Sequence, residues 1–207
     1  MTSRDLRTDK LFLRNEFPSD NKWGFAFIKK QNPDLEHVEL LACSDAKANE
    51  DSTNKKKAVH FFVDDIRFRD IYEHPARTLE KFKQYAFVLT PDFSLYADMP
   101  IWLQINNVGK NRYVGAYWQK NGLVVVPTVS WGLKQSYDFC FEGVERGSVV
   151  AVGMIGCKHA RKAFLNGYDY MLEKINPEAV LCFGNPFKEM RGNIIPVDYM
   201  QSRRKKR

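Results

Sequence analysis

Residues 85–131, from Tyr85 to Trp131, read YAFVLTPDFSLYADMPIWLQINNVGKNRYVGAYWQKNGLVVVPTVSW. Two short apolar runs, Phe87-Val88-Leu89 and Val124-Val125-Val126, bracket a segment of helical length. A proline follows each run within two residues, and polar groups come next: Asp92 and Ser94 after the first, Thr128, Ser130 and Trp131 after the second. The pattern predicts a strand, a crossover helix from about Pro100 to Asn121, and a second strand. Polar groups just past the carboxyl ends of parallel strands stand where α/β folds keep their sites.

Outward from this unit the rhythm repeats. HVELLA (37–42) and AVHFFV (58–63) read as strands before it; GSVVAVG (147–153) and AVLCF (179–183) follow it, and Asn193 to Val197 suits a last strand. Continuous apolar runs rather than strict alternation fit strands covered on both faces. Helices are expected between Ile66 and Tyr85, where Leu79, Phe82 and Tyr85 form a stripe, and from His159 to Lys174. Asn121-Gly122 closes the central helix; its interior Gly109 and Gly115 suit close packing or a ligand's approach. The fold class expected is α/β, with a largely parallel sheet and crossover helices, either partial-barrel-like or an open three-layer sheet. A full eight-stranded barrel needs units the sequence does not offer. The expected organisation is an N-terminal arm and cover over 1–36, one α/β domain over 37–200 and a basic tail over 201–207. Within the arm, residues 1–20 read as extended and 21–28 as a short strand or plug. Lys47 to Lys57 reads as an open loop.

Composition agrees with a folded body. The chain has 207 residues, 44% hydrophobic and 14% aromatic, which is enough for a sizeable core and excludes disorder throughout. The net charge of +7 falls to +2 once Arg203, Arg204, Lys205, Lys206 and Arg207 are set aside. The basic character therefore belongs to a tail, which suits either a solubilising terminus or attraction to nucleic acid. The four cysteines, Cys43, Cys140, Cys157 and Cys182, lack CxxC spacing and read as reduced thiols. With no apolar run of membrane-spanning length, a cytoplasmic protein without a membrane partner is expected.

Three groups of residues carry possible chemistry. Asp64, Asp65 and Asp92 follow two strands that are neighbours if the sheet is sequential. They would divide acid and base work, or Asp65 and Asp92 would hold a divalent metal; the pattern is a weak signal, and helix capping with a solvated turn is the plainer explanation. Gln104, Asn111 and Trp118 recur every seven residues on the central helix, with Arg112 and Gln119 beside them. Arg112 suits a carboxylate or phosphate, and the amides suit a base or sugar; a solvent-facing side with Trp118 under a loop is the alternative. Ser94, Thr128, Ser130 and Trp131 would rim the same edge. Gly153 and Gly156, with Lys158 and Arg161, form a weak phosphate pattern that tight turning also explains; no complete dinucleotide or P-loop motif is present.

The strings VHFFVDD, LTPDFSLYADMP, NRYVGAYW, VVPTVSW, SYDFCFEG with GSVVAV, and CFGN, spread from about Val59 to Phe183, resemble a family found in bacterial genomes, phages and plasmids and catalogued as a domain of unknown function. The resemblance brings no assigned activity, cofactor or catalytic residue. It implies a mobile-element setting, in DNA maintenance, transfer or host interference. The reading is a protein that binds nucleic acid, DNA or RNA, or a phosphorylated ligand at the strand ends. A metal-assisted hydrolase or nuclease, or a module that binds a host protein, stands as the alternative.

Overall fold

The computed structural model describes residues 2–198 and Ser202. Seven short strands follow one another: β1 (Leu40–Ala42), β2 (Ala58–His60), β3 (Phe87–Leu89), β4 (Val125–Val126), β5 (Val150–Gly153), β6 (Val180–Phe183) and β7 (Ile194–Val197). Each pairs in parallel with the next, in the order β1-β2-β3-β4 and β5-β6-β7. A parallel bridge between Thr128 and Ala151 joins the two sets, with the Val129 N–H donating to the Ala151 carbonyl at 2.8 Å. Strand order therefore equals chain order across the whole sheet.

That order bends the sheet into a partial barrel. Laid flat, seven strands about 4.8 Å apart would separate β1 from β7 by roughly 29 Å. Yet the Ala42 N–H donates to the Ser202 carbonyl at 3.3 Å. Ser202 lies five residues past β7, a reach of at most about 18 Å. The core agrees. Leu40, Ala58, Phe87, Leu89, Val126, Ala151, Leu181, Phe183 and Val197, drawn from all seven strands, form one apolar cluster. The alternate residues Leu41, Val59, Val88 and Val125 join a second cluster, and Val150, Val152, Val180 and Cys182 a third. Period-two side chains thus fill an interior and an outer layer, as a curled parallel sheet requires.

The helices are α1 (Ser3–Thr8), α2 (Lys10–Leu13), α3 (Ser52–Lys55), α4 (Leu79–Phe82), α5 (Ile101–Lys120) and α6 (Arg161–Ile175). Only α5 and α6 are long crossovers. Pro100 precedes α5, and Asn121 caps its end before Gly122 at φ +88°. α5 is buried on two sides. Tyr113, Val114 and Trp118 face β1–β4, and Trp118 wedges between Phe61 and Phe82 with its Nε1 donating to the Pro75 carbonyl at 3.4 Å. Gly115 permits this closeness: a Cβ there would stand 2.5 Å from Ile28 Cδ1 and 2.7 Å from Thr90 Cγ2. Packing, rather than a ligand's approach, accounts for the α5 glycines, since Gly109 likewise abuts Phe25. α6 covers β5 and β6 through Phe164, Tyr168 and Met171.

Local differences from the sequence reading have local causes. The arm is not extended: Thr2 and Asp5 cap each other reciprocally and start α1. Asp51 caps α3 inside the polar loop. Residues 65–82 are helical in pieces: Asp65–Arg67 and Arg69–Ile71 are 3₁₀ turns, and Pro75 opens a third, Pro75–Thr78, that runs into α4. The segment Phe25 to Ile28 is a plug, with Ile28 fully buried and bridged to Val144.

Candidate functional site

The carboxyl ends of β2, β3, β4 and β5 open onto one mouth, and the loops that leave them carry the polar cluster. After β2 comes Asp65, the first residue of a 3₁₀ turn. Its Oδ2 accepts the Ser94 backbone N–H at 3.1 Å and its Oδ1 the Ser94 hydroxyl at 2.9 Å. After β3 comes Asp92, in a turn closed by the Phe93 N–H on the Pro91 carbonyl at 3.0 Å. Burial raises the Asp92 pKa, the neighbouring Asp65 carboxylate raises it further, and a hydrogen bond from Ser130 opposes both; the result is about 7. After β5 comes Cys157, whose thiol is pushed up by burial and by the charge of Asp92.

Asp65, Asp92, Ser94, Ser130 and Cys157 are all half-buried, so the cluster is reachable from solvent. Chemically it offers the Asp65 carboxylate, held by two donors from Ser94, beside an Asp92 carboxyl group raised to about 7. A carboxyl group raised by burial and by a neighbouring carboxylate is suited to proton transfer. Asp64 does not join them: it is exposed, and its side chain makes no capping bond. Among the described residues no group of three or more His, Cys, Asp or Glu side chains is placed to hold a metal ion. Asp65 and Asp92 alone would have to carry one, and serine donors already occupy oxygens of both.

The polar side of α5 is turned inward. The Arg112 guanidinium is 2% exposed and donates to the carbonyls of Glu142 (2.8 Å), Cys140 (2.7 Å) and Thr128 (3.4 Å), and to Asn111 Oδ1. Burial lowers its pKa to about 10, and no carboxylate or phosphate is needed to satisfy it. Asn111 donates to the Pro91 and Thr128 carbonyls, and Gln104 to the Met99 carbonyl. Gln119 ties the arm down through Lys29 and Gln31. The Thr128 hydroxyl donates to the Thr90 carbonyl. Trp131 lies on Phe164 and Phe141, its indole against Gly167. Arg112, Asn111, Gln104 and Thr128 brace the mouth loops from within, Trp131 packs half-buried against α6, and Gln119 lies at the far end of α5 beside the start of β4. Asn107, which the seven-residue spacing passed over, braces the mouth loops as well, through the Ser94 carbonyl at 2.8 Å. Gly153, in β5, abuts the Phe62 ring, so close packing accounts for it, and Gly156 turns the chain at φ +79°. The tail Arg203–Arg207 lies outside the described residues.

Two further features escaped the sequence reading. Cys157 carried no motif and is recognised only by its position beside Asp92. The mouth loops also expose Ile66, Tyr96, Ile101, Trp102, Leu133 and Ile155, each at least 41% accessible. An open cleft of about 530 Å³ on α6, lined by residues such as Asn166, Asp169 and Arg191, shares no residue with the carboxylate cluster and is spanned by the Arg191–Asp169 ion pair. Among the described residues no helix is long and apolar enough to cross a membrane.

Comparison with known proteins gives a setting for this geometry. The family model described as "Domain of unknown function (DUF4417)" matches residues 17–200. The "Gene 1 protein" of Mycobacterium phage L5 is 34% identical over 179 residues, covering 85% of this chain and 77% of that protein. The "Gene 1 protein" of Mycobacterium phage D29 is also 34% identical over 179 residues, covering 85% of this chain and 66% of its own length. No solved structure matches the chain.

Proposed function

Because this chain belongs to the DUF4417 family and has phage-borne relatives, we propose that it is a mobile-element-associated protein that binds a nucleic-acid or phosphorylated ligand at the barrel mouth. In this reading the raised Asp92 carboxyl donates a hydrogen bond to the bound ligand and Asp65 holds the Ser94 loop in place. The observation that carries the reading is the meeting of Asp65 and Asp92 at the carboxyl ends of adjacent parallel strands, each tied to a serine of a neighbouring loop. Lys158, exposed on the loop after β5, supplies a cation beside the cluster, whereas Arg161 is engaged by Glu189. The tail Arg203–Arg207 adds a sequence-independent attraction to phosphates.

The test is binding of a labelled oligonucleotide across a salt series, for the full chain and for variants. Lys158→Ala is expected to weaken binding and flatten the salt dependence, and removal of residues 203–207 to do so further. Affinity untouched by Lys158→Ala, Asp92→Asn and tail removal together would sink the proposal.

Hydrolysis is the second reading, favoured by the raised Asp92 carboxyl group next to Asp65. Activity of the wild type on an oligonucleotide, with and without manganese, and its loss in Asp92→Asn would support it. A protein partner is the third, favoured by the exposed apolar side chains around the mouth.

A further inference from the structure

We infer that the ligand of the mouth is an unpaired strand of nucleic acid, and that Trp102 and Tyr96 are the surfaces on which its bases stack. The inference rests on the mouth being the binding site and goes on to name what is bound. Tyr96 and Trp102 are 61% and 65% exposed, an unusual state for large aromatic side chains in a protein whose other rings are mostly packed. Both belong to one short connection. The Met99 N–H closes a turn on the Tyr96 carbonyl at 3.1 Å, Pro100 follows, and Trp102 is the second residue of α5. The Asn107 amide, donating to the Ser94 carbonyl, and the Gln104 amide, donating to the Met99 carbonyl, pin this connection at both ends. The rings are therefore presented by a braced loop, and little ordering is lost on binding.

Base faces are open only in an unpaired strand; a duplex hides them in its stack. Proteins that read a duplex project a helix or a two-stranded ribbon into a groove. The connections at this mouth are instead turns, the 3₁₀ segments Asp65–Arg67, Lys134–Asp138 and Cys157–Ala160, together with the start of α5. The mouth carries both signs: Asp64 and Asp98 are exposed near the Asp65–Asp92 pair, so a phosphate path is confined to the loop after β5. Lys158 stands on the loop after β5 and is exposed, suited to a phosphate, while the aromatic rings stand on the loop after β3. Stacking on aromatic rings combined with cations along a backbone path is how single strands are held without sequence preference.

The experiment measures binding of a single-stranded oligonucleotide and of the duplex of the same sequence, with tryptophan fluorescence recorded alongside. The expected result is tighter binding of the single strand and quenching on binding. Trp102→Ala should weaken single-strand affinity by about tenfold or more and abolish most of the quench, while Trp102→Phe keeps most of the affinity. Because Trp102 is exposed, its replacement should leave the circular dichroism and urea midpoint unchanged. Stronger duplex binding would overturn the inference. So would unaltered affinity in Trp102→Ala and Tyr96→Ala while Lys158→Ala still weakens binding, an outcome that leaves the mouth as the site. Affinity insensitive to all of these variants and to Asp92→Asn would remove the mouth reading and this inference with it.

Discussion

Asp65 accepts both the backbone N–H and the hydroxyl of Ser94, at 3.1 and 2.9 Å, and so fastens the loop after β2 to the loop after β3 directly beside Asp92. The pair fixes where the negative charge sits. Asp65→Asn removes that charge, and the Asp92 midpoint is expected to fall from about 7. The fall should be partial, because burial raises it more than Asp65 does. A carboxyl NMR titration reads the midpoint directly; an unchanged value would mean that the two groups do not sense each other. Ser94→Ala keeps the backbone donor and loses the hydroxyl, at a cost of about 1–2 kcal/mol in stability.

His60 and Asp92 should leave opposite signatures in stability against pH. Burial holds His60 down to about 3 from its ordinary 6.5, so the unfolded chain takes up the proton first and stability falls as pH drops from 6.5 towards 3. Asp92 is raised to about 7 from 3.8, so the folded chain keeps its proton and stability falls as pH rises from 3.8 through 7. Between about 3.8 and 6.5 the two contributions cancel. Asp92→Asn should expose the His60 slope, about 1.4 kcal/mol per pH unit of stability gained as pH rises. His60→Gln should expose the reverse slope. Urea midpoints measured across this window check both, and parallel profiles for the two variants would contradict the assignment.

Arg112 holds three carbonyls that have no regular sheet partner, those of Thr128, Cys140 and Glu142. Arg112→Met preserves much of the volume and removes every donor. It is expected to destabilise by at least about 3 kcal/mol, since buried carbonyls left unpaired cost more than the net worth of their hydrogen bonds. Arg112→Lys should recover only part of the loss, because one ammonium cannot reach carbonyls spread over the guanidinium fork. Chemical denaturation gives the order of the three proteins.

Gly167 lies under Trp131, where a Cβ would stand 2.2 Å from the indole Nε1. Alanine improves helix propensity by roughly 1 kcal/mol, but the overlap costs roughly 1–3 kcal/mol and moves Trp131, so net destabilisation is expected. Trp131→Leu makes room. The double variant should therefore be more stable than the sum of the single losses implies, a coupling that a double-mutant cycle measures.

Much of the architecture was legible in short strings. Pro100, Asn121 and Gly122 marked the ends of α5 to within a residue, because caps and breakers act locally. The runs at β2, β3, β5 and β6 announced parallel strands, because a strand covered on both faces is apolar at every position. Pro75 marks the start of the helical stretch that ends with α4, while the turns before it are shorter than a helix, because a three-residue apolar spacing suits 3₁₀ turns as well as an α-helix. Asp65, Asp92, Ser94 and Ser130 were legible as strand-end neighbours, because each follows a strand of a sequential sheet. Arg112, Gln104, Asn111 and Trp118 were legible as a row but not as an inward one, since a polar row on a helix looks the same whether it meets water or orphaned carbonyls.

By itself the sequence determined the local elements, the parallel rhythm and the strand-end position of the carboxylates, all consequences of neighbouring residues. Tertiary structure alone decided that the sheet curls until the Ala42 N–H meets the Ser202 carbonyl, that Cys157 comes beside Asp92, and that Trp102 and Tyr96 rather than Trp131 stay in solvent. The physical reason is that burial and charge coupling depend on which distant segments share a surface. Only the folded chain brings those segments together.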